Sequence, residues 1–97
     1  MSVAESVTSA ERVGRRTVLR TNEHEYPTYY TIDRLEKRLG ANGFVRANPG
    51  ALVNLRFVDH LVPNGDGSYD LYLKDRNSTV ITVSRSRSRQ LLTSLEP

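Results

Sequence analysis

The 97-residue chain has no cysteine, no tryptophan and only two lysines among its 14 cationic side chains. The lack of cysteine excludes disulfides, cysteine nucleophiles and thiolate zinc sites, including zinc fingers, and leaves the redox compartment open. No segment approaches the roughly 20 apolar residues of a membrane-spanning helix. The first sixteen residues also lack the apolar run of a secretory signal. We therefore expect a cytoplasmic protein that does not contact a membrane.

Arginine takes the place of lysine in this chain. It supplies 12 of the 14 cations, and the formal net charge is +3. The planar fork of arginine suits phosphate groups and guanine, although so small a net charge does not by itself indicate a nucleic-acid partner. A chain of this length buries one modest core. We predict a flexible tail over residues 1–6 and a single domain over residues 7–97.

The first part of the chain is predicted to form a hairpin with a polar tip. Residues 16–21 and 29–32 are rich in β-formers, and the residues between them favour a turn. The segment before Gly14 is small and polar with scattered valines. It is typical of a flexible tail or of a weak edge strand.

A short helix is predicted after this hairpin. Thr31 or Asp33 can cap its start and Gly40 can end it. Its apolar positions recur at i, i+3 and i+7, at Ile32, Leu35 and Leu39. Glu36 and an Asp33–Lys37 pair lie on its polar side. They favour a solvated face over a dedicated phosphate-binding surface for its cations, which are Arg34, Lys37 and Arg38.

From Phe44 onward the pattern is that of several short strands. The Asn-Gly and Asp-Gly steps within residues 64–67 are the strongest turn signal, because both tolerate positive φ. Residues 69–73 follow as a strand with one buried face, and residues 80–83 form the returning strand. Ser84 is placed to cap a final helix, whose apolar side would carry Leu91, Leu92 and Leu95. The predicted fold is mostly β.

The ordered elements resemble a LytTR-type DNA-binding domain of the LytR/AlgR family. The resemblance rests on Phe44-Val45-Arg46, Leu52-Val53-Asn54, the turn at residues 64–69 and Val83-Ser84-Arg85. It implies an elongated arrangement of small antiparallel sheets with one short internal helix and a C-terminal helix. From the residues themselves we expect no cofactor, no bound metal and no enzymatic activity.

The function implied by the resemblance is sequence-specific binding of double-stranded DNA. Family members usually form the output half of bacterial two-component response regulators, with loops inserted into successive major grooves of a direct-repeat site. The implied partners are therefore duplex DNA, a second copy of the domain on the repeat, and a sensory or receiver domain outside this chain.

Three loops match the base-contacting loops of the family. Arg85 matches the arginine of the Val-Ser-Arg motif and is expected to contact guanine O6 and N7. The first loop corresponds to residues 12–16. In the third loop, Pro49 cannot donate a hydrogen bond, so the usual contact is lost or taken over by Asn48, and sequence preference should differ from the family norm. The predicted DNA-binding residues are Arg12, Arg15, Arg16, Asn48, Gly50, Arg85, Arg87 and Arg89.

The arginines at the start of the final helix are expected to divide their roles. Alternate positions are separated by about 200° around a helix, so Arg85, Arg87 and Arg89 cannot all face one partner. Arg85 can reach bases while Arg87 or Arg89 meets phosphate, aided by the free amides of the helix start. Alternatively, this is a solvated face on which Arg87 or Arg89 pairs with nearby carboxylates.

Other functions find less support in the sequence. His24 and His60 have no visible partners for metal binding or catalysis, and there is no phosphate-cradling glycine loop or serine motif with triad residues. The five tyrosines could stack on single-stranded bases, but strand tyrosines more often pack within or across sheets. The competing hypothesis is a protein-interaction module that dimerises with or sequesters a related regulator. Pro49, Gly50 and Ala51 favour it.

Overall fold

The computed structural model describes residues 6–96, so the tail predicted over residues 1–6 falls almost entirely outside the described residues. The longest principal extent is 34 Å, against 27 and 25 Å. Strands and helices follow in this order: β1 (Val7–Val13), β2 (Arg16–Thr21), β3 (Glu25–Thr28), α1 (Ile32–Leu39), β4 (Phe44–Asn48), β5 (Ala51–Asn54), β6 (Val58–Pro63), β7 (Tyr69–Leu73), β8 (Val80–Val83) and α2 (Arg85–Leu95).

The strands form two antiparallel sheets, which confirms the predicted fold class. The five-stranded sheet has the order β3-β2-β1-β5-β4, and the three-stranded sheet has the order β6-β7-β8. Every neighbouring pair is antiparallel. β7 and β8 lie at their predicted positions, because turn residues separate these strands clearly.

β1 is the central strand of its sheet, so the prediction of a weak edge strand is wrong. It pairs with β2 on one side and with β5 on the other. Residues 7–10 are fully buried. The side chains of Ser9 and Ala10 are small enough to be covered on both faces of the sheet, and a strand covered on both faces shows no apolar–polar alternation.

The second strand of the predicted hairpin lies earlier in the chain than residues 29–32. β3 pairs only with β2 and is an edge strand, so the missing amide of Pro27 interrupts no second ladder. The turn before β3 is stabilised by the Thr21 hydroxyl, which accepts from the amides of Glu23 and His24 at 3.2 and 3.1 Å. The chain has therefore already paired before it reaches Tyr29 and Tyr30.

α1 begins and ends at the predicted residues, but Gly40 does not have the left-handed conformation typical of a C-terminal glycine. The Thr31 hydroxyl accepts from the amide of Arg34 at 3.1 Å, which caps the helix. Gly40 is right-handed, with φ −57°, and starts a 3-10 turn over Gly40–Asn42. The left-handed residue is Gly43, with φ 86°, so Gly43 rather than Gly40 redirects the chain into β4.

The β4–β5 hairpin separates two cores. All four residues of β5 are buried, and successive side chains point to opposite faces. The first core lies against α1 and comprises Val7, Ala10, Ile32, Leu35, Phe44 and Leu52. The second lies against the three-stranded sheet and α2 and comprises Ala47, Ala51, Val53, Leu71, Leu73, Ile81, Val83 and Leu91.

α2 starts directly after Ser84, as predicted, but the serine hydroxyl does not cap it. That oxygen lies 3.3 Å from the hydroxyl of Ser86 and accepts from none of the first-turn amides. The amide of Ser84 instead donates to the carbonyl of Ala47 at 2.9 Å, which ties the start of the helix to β4. Leu91 is buried, whereas Leu92 is exposed and is not part of the core. Within residues 6–96, no helix is both long and apolar enough to cross a membrane.

Candidate nucleic-acid interface

Four loop segments lie next to one another and form a continuous surface, which we call the loop row. Its members, in spatial order, are the β1–β2 turn (13–16), the β4–β5 turn (48–51), the start of α2 (84–89) and the β6–β7 turn (64–68). The amide of Arg12, at the base of the first turn, donates to the carbonyl of Gly50 at 2.8 Å. The Asn48 side chain donates to the carbonyl of Thr82 at 2.6 Å. The two sheets are thus joined at this surface.

The start of α2 is tied to the β6–β7 turn in the same way. The hydroxyl of Ser88 donates to the carbonyl of Gly67 at 2.8 Å and lies 2.9 Å from the carbonyl of Ser84. Ser88 is itself buried. Together with the bond from Ser84 to β4, this contact fixes the first turn of α2 between the two sheets.

Arg85 is exposed and lies over the β6–β7 turn. Gly67 has φ 94°, and a Cβ built at this position would lie 2.9 Å from Cγ of Arg85. The neighbouring carboxylate of Asp66 accepts from the hydroxyl and the amide of Ser68 at 2.6 and 2.9 Å. These bonds hold the pKa of Asp66 below its usual 3.8, and the charge of Arg85 adds a smaller effect. The stem of Arg85 thus packs directly on Gly67, where any side chain would displace it.

Arg87 and Arg89 leave the helix in different directions, as their spacing predicts. Arg89 is exposed and Arg87 is half-buried. The charge of Arg87 adds a small effect to the lowered pKa of Asp33 in α1. Among the described residues, neither arginine has a carboxylate within 4.0 Å. The alternative in which either one forms a salt bridge is wrong for this structure.

Asn48 and Gly50 form the middle of the loop row. The Asn48 oxygen accepts from the amide of Gly50 at 2.8 Å, and its amino group donates to Thr82 as above. Both ends of this side chain are therefore engaged within the protein. A Cβ at Gly50 would meet Cβ of Arg12 at 3.5 Å, an ordinary contact. The structure gives Asn48 a positioning role, and its contact with DNA stays a prediction.

The first loop presents its arginines to solvent. Arg12, Arg15 and Arg16 are all exposed, and Nε of Arg12 donates to the carbonyl of Gly14 at 3.0 Å. They line an open groove of about 550 Å³. We call it the arginine–tyrosine groove, and its lining residues are Arg12, Arg15, Arg16, Thr17, Pro27, Thr28, Tyr29, Tyr30 and Thr31.

Arg46 is the functional residue whose role sequence reasoning missed. It follows Phe44 on the α1 face of β4 and is only 8% exposed. Its NH1 nitrogen donates to Asp33 at 2.7 Å and to Glu36 at 2.8 Å. Its Nε donates to the carbonyl of Asn48 at 2.9 Å, and its other terminal nitrogen donates to the carbonyl of the following proline. One guanidinium thus holds the β4–β5 turn against α1.

Asp33 takes part in this network rather than in the predicted pair with Lys37. The hydrogen bond from Arg46 and its charge hold the pKa of Asp33 below its usual 3.8, and Lys37 acts only as a nearby charge. Because Glu36 also bonds to Arg46, both acids of α1 point toward the turn. Among the described residues, the cations of α1 are left without an ion-pair partner.

The two histidines have local roles. The ring of His60 stacks on Tyr72 with centroids 4.5 Å apart, and its Nδ1 lies 3.1 Å from a carboxylate oxygen of Asp59. His24 makes an edge contact with Tyr26. Over residues 6–96, no three side chains of the metal-binding types come together as a possible metal site.

Known proteins share this arrangement. A family model for the LytTr DNA-binding domain matches residues 3–96. The chain belongs to the LytTr DNA-binding domain family. This family is one of DNA-binding rather than catalytic domains, so the general function of this LytTr domain is DNA binding in transcription regulation.

Relatives and a solved structure agree with the family assignment. The sensory transduction protein LytT of Bacillus subtilis is 29% identical over 73 residues, which are 75% of this chain and 30% of that protein. The haem-containing CO-sensing transcriptional regulator RcoM 1 of Paraburkholderia xenovorans is 32% identical over 78 residues, 80% of this chain and 29% of that protein. A LytTr DNA-binding domain from Bacillus cereus superposes with a TM-score of 0.86 at 19% identity, covering 97% of this chain and 84% of that one.

The support of Arg85 by Gly67 gives a first prediction. We expect Gly67→Ala to weaken DNA binding toward the level of an Arg85 truncation, because the new methyl group displaces the arginine stem. Gly65→Ala is the matched control. It has a similar φ of 88° but no atom within 4 Å of its Cβ. Both variants should lose about 1–2 kcal/mol of stability through backbone strain, whereas duplex titration should show weakened binding only for Gly67→Ala. Equal affinities would show that Gly67 does not position Arg85.

Proposed function

We propose that this LytTr domain binds a specific double-stranded DNA sequence as the output domain of a bacterial transcription regulator. In this proposal its loops enter successive major grooves of a direct-repeat site. The observation that carries it is the loop row, in which hydrogen bonds join four loop segments and present exposed arginines along one surface. A rigid row of this kind can follow a duplex without ordering its loops on binding, which lowers the entropic cost.

Each part of the loop row has a proposed task. Arg85 donates both arms of its guanidinium to O6 and N7 of a guanine, which is the commonest specific arginine contact in the major groove. Arg15 and Arg16 reach a second major groove from the β1–β2 turn. Arg87 and Arg89 contact phosphates on either side of Arg85 and set the register of the domain on the duplex.

A selection from randomised duplexes at moderate salt tests this function. We expect an enriched motif, and an affinity for it that falls with salt at a log–log slope of about −0.9 for each neutralised phosphate. A steep slope without an enriched motif would mean that the domain binds DNA through its backbone alone. It would contradict sequence-specific recognition.

A protein-interaction module is the second candidate function, and the middle of the loop row favours it. The Asn48 side chain is engaged at both ends, and Pro49 has no donor to offer. The molar mass in solution, measured across concentrations with and without the selected duplex, separates the two functions. A dimer that forms without DNA and does not bind the duplex would support the interaction module.

The chain spans about a third of the length of the curated relatives it matches. The relatives named as sensory or CO-sensing proteins therefore contain sequence with no counterpart here. We propose a sensory or receiver domain as a partner outside this chain, self-association of the domain on a direct repeat, and a cytoplasmic location. DNA binding in transcription regulation supports each of these proposals.

A further inference from the structure

The outer side of α1 carries three cations that form no ion pair with any of the described residues. The helix carries two carboxylates, Asp33 and Glu36, and both are bonded to Arg46, although the Asp33 side chain remains 79% exposed. Three cations remain on the outside, at Arg34, Lys37 and Arg38, and all are exposed. Among the described residues none of them has a carboxylate within 4.0 Å. The predicted Asp33–Lys37 pair is replaced by the bonds to Arg46, so the three cations are available to an anion.

Tyr30 holds two of these cations in place. The guanidinium carbon of Arg38 lies 4.7 Å from the centre of the tyrosine ring, and that of Arg34 lies 6.0 Å from it. Contact with an aromatic face orients a guanidinium and leaves its edge N–H groups free to donate. The ring thus reduces the conformational entropy that the two side chains would lose when they bind an anion.

The same tyrosine joins this surface to the loop row. Tyr30 lines the arginine–tyrosine groove together with the fully exposed Tyr29 and the arginines of the first loop. Arg12 lines both this groove and the adjoining depression formed with Pro49 and Gly50. A surface rich in arginine therefore runs from the β1–β2 turn to the outer side of α1, and the depression beside it also contains Asp33.

We propose that the arginine–tyrosine groove and the outer side of α1 bind the phosphodiester backbone of the duplex beside the major groove entered by the β1–β2 turn. This inference rests on the proposed function. The ligand is a run of phosphates, because the surface offers the guanidinium donors of Arg34 and Arg38 beside an exposed tyrosine, and among the described residues neither arginine has a carboxylate within 4.0 Å. Arg34 and Arg38 neutralise phosphates and fix the orientation of the domain, and they read no base.

A duplex bearing the selected motif, with single phosphates replaced by neutral methylphosphonates, tests this proposal. For the wild-type domain we expect a set of phosphates at which neutralisation weakens binding. For Arg34→Ala/Arg38→Ala we expect one or two of these positions to become insensitive. The salt slope should fall in magnitude by about 1–2, since each lost phosphate contact removes about 0.9, and the same bases should be selected.

The matched control is Arg56→Ala/Lys74→Ala. It also removes two exposed positive charges, at the end of the three-stranded sheet away from the β6–β7 turn. It should bind like the wild type, and thermal unfolding should show that both double variants are folded. Tyr30→Leu, which removes the ring without changing the charge, should reproduce part of the loss, whereas Tyr30→Phe should not.

An identical set of sensitive phosphates in the wild type and Arg34→Ala/Arg38→Ala would overturn the proposal. So would equal losses of affinity in the two double variants, since these would reflect net charge alone. Failure of the proposed function is a different result, because the wild-type domain would then select no motif.

Discussion

Replacing Arg46 by methionine is expected to lower the free energy of unfolding by about 2–3 kcal/mol. Methionine keeps most of the buried stem and removes the guanidinium, so the loss reports the hydrogen bonds to two carboxylates and two carbonyls. Charge-assisted bonds contribute about 1.5–3 kcal/mol each, but Asp33 and Glu36 are partly solvated, which reduces the total. The total free energy of unfolding of a domain of this size is about 5–15 kcal/mol. Urea denaturation of the wild type and Arg46→Met measures the difference.

Two controls separate the Arg46 network from a general effect of charge. Arg76→Ala removes an exposed ion pair with Glu23 at 3.3 Å and should lower the free energy of unfolding by less than about 1 kcal/mol.

The second control is the pH dependence of stability. Asp33 ionises at lower pH when folded, so its contribution is complete above its usual pKa of 3.8 and is lost as the pH falls below that value. The gap between wild type and Arg46→Met should narrow there, and a constant gap would argue against the ion pair.

Arg85→Ala is expected to weaken binding to the selected duplex by about 1–3 kcal/mol, which is about 5- to 150-fold. The loss should fall on one base position, because a truncated side chain no longer distinguishes guanine there. Binding measured against all single-base variants of the motif gives both the overall loss of affinity and the loss of discrimination at each base position. The stability of Arg85→Ala should match that of the wild type, since the residue is exposed.

The conservative variant distinguishes base contact from phosphate contact at Arg85. Arg85→Lys keeps the charge but loses the two-armed donor, so it should retain backbone affinity and lose discrimination at the same base. Arg56 is an exposed arginine away from the loop row, so Arg56→Ala should change neither the affinity for the duplex nor the discrimination between bases. If Arg85→Ala weakened all sequences equally, Arg85 would be a phosphate contact.

Much of this fold follows from local sequence patterns, and its exceptions have physical reasons. The strands of the C-terminal half are predictable because turn residues and alternation mark both their ends and their faces. β1 is not, because small residues covered on both faces give no alternation, and its central place depends on pairing with β5 about forty residues away. The early start of β3 was hidden by Pro27, which is tolerated only because the strand is at an edge.

The candidate site shows a similar division. Motif order indicates Arg85 and the three loops, and alternation along β4 places Arg46 on the same face as Phe44. Which carboxylates Arg46 meets depends on how α1 docks, and no local pattern contains that information. The same docking bonds both acids of α1 to Arg46, so the sequence suggests an Asp33–Lys37 pair that the structure does not form.

The position of β5 between the two cores also determines how the domain loses its structure. Opening either core exposes one apolar face of β5, and the strand cannot then keep its place in the other core. The two halves should therefore unfold in one cooperative transition, and the slowest amide hydrogen exchange should be found in β1 and β5. Each segment of the loop row is anchored to strands and helices that should unfold in one transition. The recognition surface should therefore be either fully formed or fully lost.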